Sequence, residues 1–491
     1  MAETANYLAY DLGASSGRAV IGRFDGTRVS LEEVHRFPNA GTPVLDRLYW
    51  DVLGLFEHLI EGLRRTVHTC GSSLMGVGID TWGVDYALLD DRDELLGNPR
   101  CYRDPRVQGM MEEAFRRVPR GEIFEQTGIQ FLELNTLYQL LAMSLEKSPQ
   151  LDMARTLLMM PDLFNYWLTG EKASEFTIAT TTQFHDPRKG DWALDLLERL
   201  NIPTGMLPEV VPPGTALGPI RSDIAEEVGL TSAEVIAAAC HDTGAAVAAV
   251  PLSDADSLYV SCGTWALLGT ELSEPAITPS ALAHNFTNEG GVCGTYRFLK
   301  NISGLWLVQE CKRIWEREGR DYGYDELTQM AADATPLRAA VDPDAADFLS
   351  PGDMPARIRE ACRSTGQAVP ESEGAVIRCA LESLALKIRY TLGQLEEVLG
   401  KRMKTIHLVG GGIQNTLLCQ LTADATGRPA VAGPVEATAL GNILMQALAR
   451  GQVGSLAEIR EVVRNSTDLI TYEPGEPGPW DEAYELFVKL L

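Results

Sequence analysis

The sequence predicts an α/β protein made of two similar domains. The chain has 491 residues, more than one ordinary hydrophobic core can hold. Short apolar runs typical of strands alternate with longer stretches of helical periodicity. Two segments about 250 residues apart, beginning at Tyr10 and Tyr259, both read as a strand, a small-residue turn and a strand. This repeat predicts two similar halves that face a shared cleft.

The first domain is expected to open with strands. Alternation over residues 18–24, followed by an Asp-Gly pair, predicts hairpins. Apolar residues at helical spacing over 50–67 predict an amphipathic helix, and residues 74–97 return to strand, turn and strand. Helical patterns dominate residues 107–200, and a proline-rich passage at 207–220 follows them.

The stretch EVIAAACHDTGAAVAAV, residues 234–250, predicts a buried strand, a polar turn and a helix. Asp242 or Thr243 could cap that helix. Equally, the acid Asp242 beside the base His241 in an otherwise apolar run would suit a catalytic site. A hydrolytic site with Cys240 as nucleophile is disfavoured, because neighbours in a strand point to opposite faces.

The second domain is expected to repeat the opening of the first. A strand-turn-strand segment starts at Leu258. The pattern then predicts helices over 303–316 and 373–399, an apolar strand over 405–409 that is followed by three glycines, a helix from residue 416 and a closing helix over 481–491. We therefore expect domains over 1–245 and 246–454, with residues 455–491 joining the first.

Composition excludes several functions. The formal net charge is −26, so the surface should repel nucleic acid and anionic membranes. The N-terminus shows no targeting signal and no run of about 18 apolar residues occurs, which favours a cytoplasmic protein. Nine scattered cysteines fit reduced thiols rather than zinc sites, although Cys362 and Cys379 could meet in the fold. The P-loop and HExxH motifs are absent from the sequence.

Two turns are candidates for binding phosphate. The first has small residues whose amides can approach an anion, and they are Gly13, Ala14, Ser15, Ser16, Gly17 and Arg18. Asp11 precedes them, and its carboxylate would repel a phosphate bound at this turn. A Mg²⁺ ion between the two groups would remove that repulsion. The second turn contains Thr264. Plain hairpins are the alternative for both turns.

Two further segments suit a nucleotide and a sugar. Gly410, Gly411 and Gly412 lie between a strand and a helix, where a nucleotide can approach the backbone, or where the chain simply turns tightly. Trp82 and Gly83 lie in a turn among polar residues, where an indole face could stack on a sugar, although a single Trp is more often a core residue.

Read together, these segments resemble the FGGY family of carbohydrate kinases almost from end to end. The matching motifs are DLGASSGR, GIDTWGVDYALLD, YRDPR, LNTLYQL, ATTTQF, HDTGAAV, SCGTWALLG, NEGG, LKNISGLWLVQE, HLVGGGIQNTLL and GPVEATALGN. The resemblance implies an actin-like, ribonuclease H-like fold in each domain, with ATP and sugar meeting in the cleft between them.

The resemblance also implies roles for individual residues. Asp242 matches the catalytic base. The residues implied for phosphate and nucleotide are Ala14, Ser15, Ser16, Gly17, Arg18, Thr264, Gln309 and Gly411, and those implied for the sugar are Gly83, His241, Asp242, Thr243 and Asn301. Trp82 could add an apolar wall for the methyl group of a deoxysugar. The helix N-terminus should keep Asp242 ionised with ordinary basicity.

The expected reaction is the Mg²⁺-dependent transfer of phosphate from ATP to the C1 hydroxyl of L-rhamnulose, as a step in rhamnose catabolism. L-Fuculose or a related ketose is the alternative substrate, and an actin-like ATPase switch is the alternative class of protein. The sequence leaves the oligomeric state open between monomer and dimer.

Overall fold

The computed structural model describes residues 4–491, and its strands and helices alternate along the chain. Within this range the strands are β1 Ala5–Leu12, β2 Ser16–Phe24, β3 Val29–Pro38, β4 Thr42–Val44, β5 Arg47–Tyr49, β6 Gly76–Thr81, β7 Tyr86–Leu89, β8 Thr156–Met159, β9 Ser174–Glu175, β10 His185–Asp186, β11 Asp191–Trp192, β12 Val210–Val211, β13 Thr215–Pro219, β14 Glu234–Ala237, β15 Ser257–Cys262, β16 Trp265–Leu272, β17 Thr287–Gly290, β18 Tyr296–Ser303, β19 Thr405–Val409, β20 Ala430–Ala432 and β21 Ile470–Tyr472.

The helices of the same range are α1 Val52–Cys70, α2 Met110–Arg117, α3 Arg120–Thr127, α4 Thr136–Leu145, α5 Pro149–Met153, α6 Met160–Thr169, α7 Phe176–Ala179, α8 Leu194–Arg199, α9 Ser222–Val228, α10 Asp242–Ala248, α11 Pro279–Ala283, α12 Trp306–Arg317, α13 Tyr324–Asp333, α14 Ala346–Leu349, α15 Met354–Ser364, α16 Glu373–Leu399, α17 Thr416–Thr426, α18 Ala437–Ala449, α19 Leu456–Ser466 and α20 Gly478–Phe487. Short 3-10 helices cover Pro105–Val107, Thr180–Thr182, Gly411–Gln414 and Val488–Leu490. Among the helices of residues 4–491, none is long and apolar enough to cross a lipid bilayer.

The chain divides into two compact units. The first contains the chain up to Ala249 together with Glu271–Phe298 and Ala437–Ser466. The second contains Val250–Thr270, Leu299–Glu436 and Thr467–Leu491. The prediction joins only residues 455–491 to residues 1–245, whereas these units exchange further segments, because β17 and helix α18 also belong to the first unit. Of the segment 455–491, only α19 lies in the first unit, and α20 lies in the second.

The first unit is built on a six-stranded sheet in the order β13-β14-β6-β1-β2-β3. The strands β1, β2 and β3 form the antiparallel hairpins that alternation predicted, with Asp11 opposite Arg18. Strand β6 runs parallel to β1 and β14 runs parallel to β6. Because parallel strands end at the same edge of a sheet, the residues that follow β1, β6 and β14 meet at one edge.

Helix α1 shows how the helices cover this sheet. Asp51 caps its start by accepting a hydrogen bond from the amide of Gly54. Leu55, Leu59 and Leu63 share the buried face of the helix and join the core cluster of the sheet, as the helical spacing predicted. The remaining face is exposed, so α1 is a surface helix that closes one side of the first core.

The second unit repeats this construction. Its strands run in the order β16-β15-β19-β20-β21, with β15 and β16 as an antiparallel hairpin and β19 and β20 parallel to β15. The predicted helices are present as α12, α16, α17 and α20. A hairpin followed by parallel strands therefore occurs twice in the chain, which confirms the prediction of an α/β fold made of two similar, actin-like halves.

Candidate active site

Acidic side chains lie in register at the edge of the first sheet. Asp11 on β1 pairs with Asp80 on the parallel strand β6 and with Arg18 on the antiparallel strand β2. Arg18 donates two hydrogen bonds to Oδ2 of Asp11, from Nη2 at 2.7 Å and from Nε at 3.0 Å. Asp80 is fully buried, and burial and the negative charge of Asp11 raise its pKa well above the ordinary value. The edge thus carries one carboxylate that is paired with an arginine beside one buried carboxyl group whose pKa is raised.

The turn between β1 and β2 presents backbone amides. The carbonyls of Gly13 and Ser15 accept hydrogen bonds from Asn39, at 2.8 Å and 3.1 Å, and that of Ser16 accepts from the amide of Gly13 at 2.9 Å. Within residues 4–491, the amides of Ala14 and Ser15 donate to no other residue. Two unpaired amides in a tight turn form the kind of concavity that binds anions.

The loop that carries His241 and Asp242 is fixed by two side chains from the start of α7. Glu175 Oε2 accepts a hydrogen bond from the amide of Cys240 at 3.0 Å, and the hydroxyl oxygen of Thr177 accepts one from the amide of His241 at 3.0 Å. The same hydroxyl donates to Glu175 Oε2 at 2.5 Å. Burial raises the pKa of Glu175 to about 7 despite these donors. This buried pair determines where the loop leaves the sheet.

Asp242 is the first residue of α10. His241 occupies the N-cap position, so neither Asp242 nor Thr243 is the capping residue that the sequence allowed. Asp242 Oδ1 accepts hydrogen bonds from the amide and the hydroxyl of Thr243, at 2.5 Å and 3.1 Å. About 30% of its side chain stays exposed.

The basicity of Asp242 differs from the expectation. Burial and the negative charge of Asp11 raise its pKa to about 7, although the bonds from Thr243 and the charge of Arg297 act in the opposite direction. The helix N-terminus therefore does not hold the carboxylate at ordinary basicity, because desolvation outweighs it. A carboxylate with a pKa near neutrality is well matched to a general base. Cys240, in contrast, is fully buried with its pKa raised well above 9.0, so it remains an unreactive thiol.

His241 lies in a buried ionic network. Its Nε2 is 3.4 Å from Asp242 Oδ1, and its Nδ1 is 3.0 Å from Nη2 of Arg297 and 3.5 Å from Oε2 of Glu289. Burial and the positive charge of Arg297 lower the pKa of His241 well below its usual range. His241 is therefore neutral. Gly83 lies against it, since a Cβ atom at Gly83 would be 3.3 Å from Nε2.

Trp82 is held mainly as a core residue. Its Nε1 donates to Asp85 Oδ2 at 3.0 Å, and its ring lies 4.3 Å from that of Trp50, which donates to the same oxygen at 2.6 Å. Gln139 and the amide of Tyr102 also donate to Asp85, and burial raises the pKa of this carboxyl to about 6. Trp82 is only 5% exposed, so little more than an edge of the indole is available to a ligand.

In the second unit, the turn between β15 and β16 repeats that of the first. The carbonyl of Thr264 accepts a hydrogen bond from the amide of Gly304 at 3.0 Å, whereas the amide of Thr264 donates to no other residue of 4–491. Gly410 and Gly412 pass close to Cys262, whose carbonyl oxygen would be 3.2 Å and 2.7 Å from Cβ atoms at these positions. Gly411 faces open space, where a ligand could lie against the backbone.

The other predicted residues also belong to the second unit. Asn301 lies on β18 and Gln309 on α12, and both are half-buried. The structure therefore groups Asp11, the turn 14–18, Trp82, Gly83 and the residues 241–243 in the first unit. It places Thr264, Asn301, Gln309 and Gly411 in the second unit. All nine cysteines, Cys362 and Cys379 included, are free thiols.

Sequence reasoning missed four residues of the site: Asp80, Glu175, Glu289 and Arg297. Glu289 lies in the motif NEGG, and Arg297 is the one charged residue in the apolar half of its strand YRFL. A charge in a buried strand requires a partner, and this signal could have identified Arg297. Asp80 and Glu175 gave no comparable signal, because their partners are distant in sequence.

The first unit provides only part of a magnesium site. Within residues 4–491 no group of three or more His, Cys, Asp or Glu side chains is arranged to hold a metal ion. Asp11 Oδ2 is occupied by Arg18, and Oδ1 accepts no hydrogen bond from the described residues. Mg²⁺ beside a nucleotide typically uses one or two carboxylates together with phosphate and water oxygens. The free oxygen of Asp11 fits that need.

Two domain models of a single protein family match the chain. Residues 6–249 match the N-terminal domain, and residues 258–450 the C-terminal domain, of the FGGY family of carbohydrate kinases.

Similar curated proteins are named rhamnulokinase. One from Bacteroides thetaiotaomicron is 43% identical over 479 residues, covering 98% of this chain and 98% of the relative. One from Oceanobacillus iheyensis is 40% identical, and the match covers 95% of this chain and 97% of the relative. One from Bacillus subtilis is 36% identical and covers 95% of each chain.

Solved structures share the fold. The ligand-bound xylulose kinase from Lactobacillus acidophilus has a TM-score of 0.81 at 17% identity and covers 99% of this chain and 97% of its own. Glycerol kinase from Plasmodium falciparum with ADP has a TM-score of 0.80 at 15% identity, and the match covers 100% of this chain and 98% of the glycerol kinase chain. At such identities the likeness shows the fold, and it confirms the predicted pair of actin-like, ribonuclease H-like domains.

Proposed function

Because the chain belongs to the FGGY family of carbohydrate kinases, we propose that it transfers the γ-phosphoryl group of ATP to the C1 hydroxyl of L-rhamnulose. Relatives named rhamnulokinase, 36% to 43% identical over nearly the whole chain, support this substrate. The product would be L-rhamnulose 1-phosphate, formed in the cytoplasm during rhamnose catabolism.

One observation carries the proposal in structural terms. Asp242 is a carboxylate with a pKa of about 7, and it lies beside a neutral histidine at the end of a strand. In a loose phosphoryl-transfer transition state, the nucleophile needs orientation more than early deprotonation. Asp242 would accept a hydrogen bond from the C1 hydroxyl and take its proton late. Gly83, His241, Thr243 and Asn301 would contact the sugar, and Trp82 would offer a small apolar edge to its methyl group.

The two turns would bind the phosphates of ATP. In the first turn the unpaired amides of Ala14 and Ser15 support this role, together with Ser16, Gly17 and Arg18. In the second unit the amide of Thr264 supports it, and Gln309 and Gly411 would contact the nucleotide. We assign the first phosphate turn and the other sugar contacts to residues 1–245, and the nucleotide contacts together with Asn301 to residues 246–454.

Magnesium would be held by the free oxygen of Asp11 together with oxygens of the nucleotide. When bound, Mg²⁺ supplies positive charge that stabilises the phosphoryl oxygens. Replacing Asp11 with Ala should weaken activity most at limiting Mg²⁺. A loss of activity that is equal at all Mg²⁺ concentrations would instead give Asp11 a purely structural role as the partner of Arg18.

A panel of ketoses with Mg-ATP and coupled detection of ADP tests the proposed function. We expect kcat/KM to be highest for L-rhamnulose, and a higher value for L-fuculose would replace the proposed substrate. ATP hydrolysis that no sugar accelerates would instead favour an ATPase switch.

A further inference from the structure

We propose that Arg297 is a positioning residue, which fixes the proton of His241 on Nε2 so that this N–H faces Asp242 and the sugar hydroxyls. The inference deepens the proposed function and rests on it for the identity of the sugar. The position of the proton concerns the protein alone.

Arg297 is buried, and each of its three side-chain nitrogen atoms contacts a neighbouring residue. It is 0% exposed, although it carries a permanent charge. Nε donates to the carbonyl of Gly290 at 2.7 Å, Nη1 forms an ion pair with Glu289 Oε2 at 3.1 Å, and Nη2 lies 3.0 Å from Nδ1 of His241. The first two contacts hold the guanidinium in place, so the third has a fixed direction.

The chemistry of arginine decides the tautomer of His241. A guanidinium group has five N–H donors and no acceptor, so Nδ1 of His241 must offer its lone pair to Nη2. The single proton of a neutral imidazole then lies on Nε2. That atom is 3.4 Å from Asp242 Oδ1, and it lies on the side of the ring that faces Gly83. His241 therefore presents a donor to the catalytic carboxylate and its surroundings.

Glu289 would produce the opposite tautomer if Arg297 were absent. Its Oε2 lies 3.5 Å from Nδ1 of His241, within reach of a proton on that nitrogen. Without the guanidinium, a proton on Nδ1 would bind Glu289, and the lone pair of Nε2 would then face Asp242. Two acceptors would oppose each other at the site, and the sugar would lose a donor. Arg297 thus favours the tautomer with the proton on Nε2, whereas Glu289 alone would favour the tautomer with the proton on Nδ1.

Nitrogen-15 NMR of protein labelled at histidine tests the tautomer directly and does not depend on any substrate. The signals of His241 are identified by their loss in His241→Gln. We expect a proton on Nε2 in the unmodified protein, and a proton on Nδ1 or on both nitrogens in Arg297→Gln. A proton on Nδ1 in the unmodified protein, or an unchanged tautomer in Arg297→Gln, would overturn the proposal.

Kinetics with L-rhamnulose separate this role from a structural one. Arg297→Gln should lower kcat/KM for the sugar about tenfold or more, with KM for ATP unchanged. Adding Glu289→Gln should restore part of the loss, because it removes the carboxylate that would otherwise hold a proton on Nδ1. Arg297→Lys, which keeps a donor and a charge, should retain more activity than Arg297→Gln. Independent, additive losses in the double variant would overturn the proposal.

The matched control is Arg460, a partly buried arginine of the first unit that forms an ion pair with Glu271 away from His241. Arg460→Gln should leave kcat/KM within about twofold. If Arg297→Gln does not fold in a thermal unfolding measurement, Arg297→Lys and Glu289→Gln still test the tautomer by NMR. If L-rhamnulose is not phosphorylated by the unmodified protein, the proposed substrate fails while the NMR result stands by itself.

Discussion

Asp80 Oδ2 accepts a hydrogen bond of 2.6 Å from Nδ2 of Asn442, a residue 362 positions further along the chain. Asn442 lies on α18, and Gln446 of the same helix donates to the carbonyl of Leu8 at 3.0 Å and to Oδ1 of Asn442 at 2.7 Å. This helix therefore binds the strands β1 and β6 just behind Asp11 and supports the edge of the sheet that carries the site.

Substitutions at this pair should have opposite effects on stability. Asn442→Leu leaves the buried carboxyl of Asp80 without its donor and should cost about 1 to 3 kcal/mol of unfolding free energy. Asp80→Asn keeps an acceptor for Asn442 and removes a group with a raised pKa. Such an acid destabilises the fold increasingly as pH rises above its unfolded pKa of about 3.9. Asp80→Asn should therefore gain stability relative to the unmodified protein as pH rises. Thermal unfolding at acidic and alkaline pH measures both effects, and a loss for Asp80→Asn that grows with pH would refute the explanation.

Helix α18 approaches α10 too closely for any side chain at Gly441. A Cβ atom there would lie 1.7 Å from the carbonyl oxygen of Ala245 on α10. Gly441→Ala should therefore displace the helix that begins at Asp242, lower the unfolding free energy by about 3 kcal/mol and reduce sugar phosphorylation. Gly393, inside α16, faces open space, so Gly393→Ala is the matched control. It should stabilise the protein by up to about 1 kcal/mol, because alanine favours a helix. Equal thermal stability of the two variants would contradict the close contact.

His185 should make the stability of the first unit sensitive to acid. Neither ring nitrogen has a hydrogen-bond partner among residues 4–491, and the ring packs against Phe176 and Trp192. Burial lowers its pKa to about 4. Between about pH 6.5 and pH 4 the unfolded chain binds a proton that the folded chain excludes, so stability falls as pH falls across this window. His185→Phe should flatten that part of a plot of unfolding temperature against pH, and the exposed His68→Gln should not. An unchanged slope for His185→Phe would contradict burial in the neutral form.

The pH dependence of catalysis should report Asp242. A general base acts when it is deprotonated, so kcat/KM for the sugar should rise with pH through about 7 and then level off. Because the charge of Asp11 contributes to the raised pKa, Asp11→Asn should move this rise to lower pH. Rates at saturating Mg-ATP over a series of pH values measure both curves. A flat profile between about pH 5.5 and about pH 8 would mean that another group takes the proton.

Periodicity and turn residues were enough to predict the local structure. The hairpins of β1 to β3, helix α1 and the strand-turn-helix around Asp242 follow from patterns within about 20 residues. The likeness of the two halves also followed from sequence, because both begin with the same strand and turn. The placement of α18 could not be predicted, since its contacts with Leu8, Asp80 and Ala245 join residues that are far apart in the chain.

The chemistry of the site was only partly predictable. Motifs identified His241 and Asp242, but the pKa of Asp242 depends on burial and on the nearby Asp11, neither of which is visible in a local pattern. Trp82 is a related case. Its polar neighbours suggested a ligand surface, whereas the bond to Asp85 and the contact with Trp50 hold most of the ring in the core.

The role of Asp242 as the base is tested most directly by the rate of sugar-dependent ADP formation by Asp242→Asn with L-rhamnulose and Mg-ATP. We expect a fall of about 100-fold or more, with Mg-ATP still bound and with thermal stability retained. Asp46→Asn, a change at a largely exposed side chain, should keep the full rate. A near-normal rate for Asp242→Asn would contradict the assignment of Asp242 as the base.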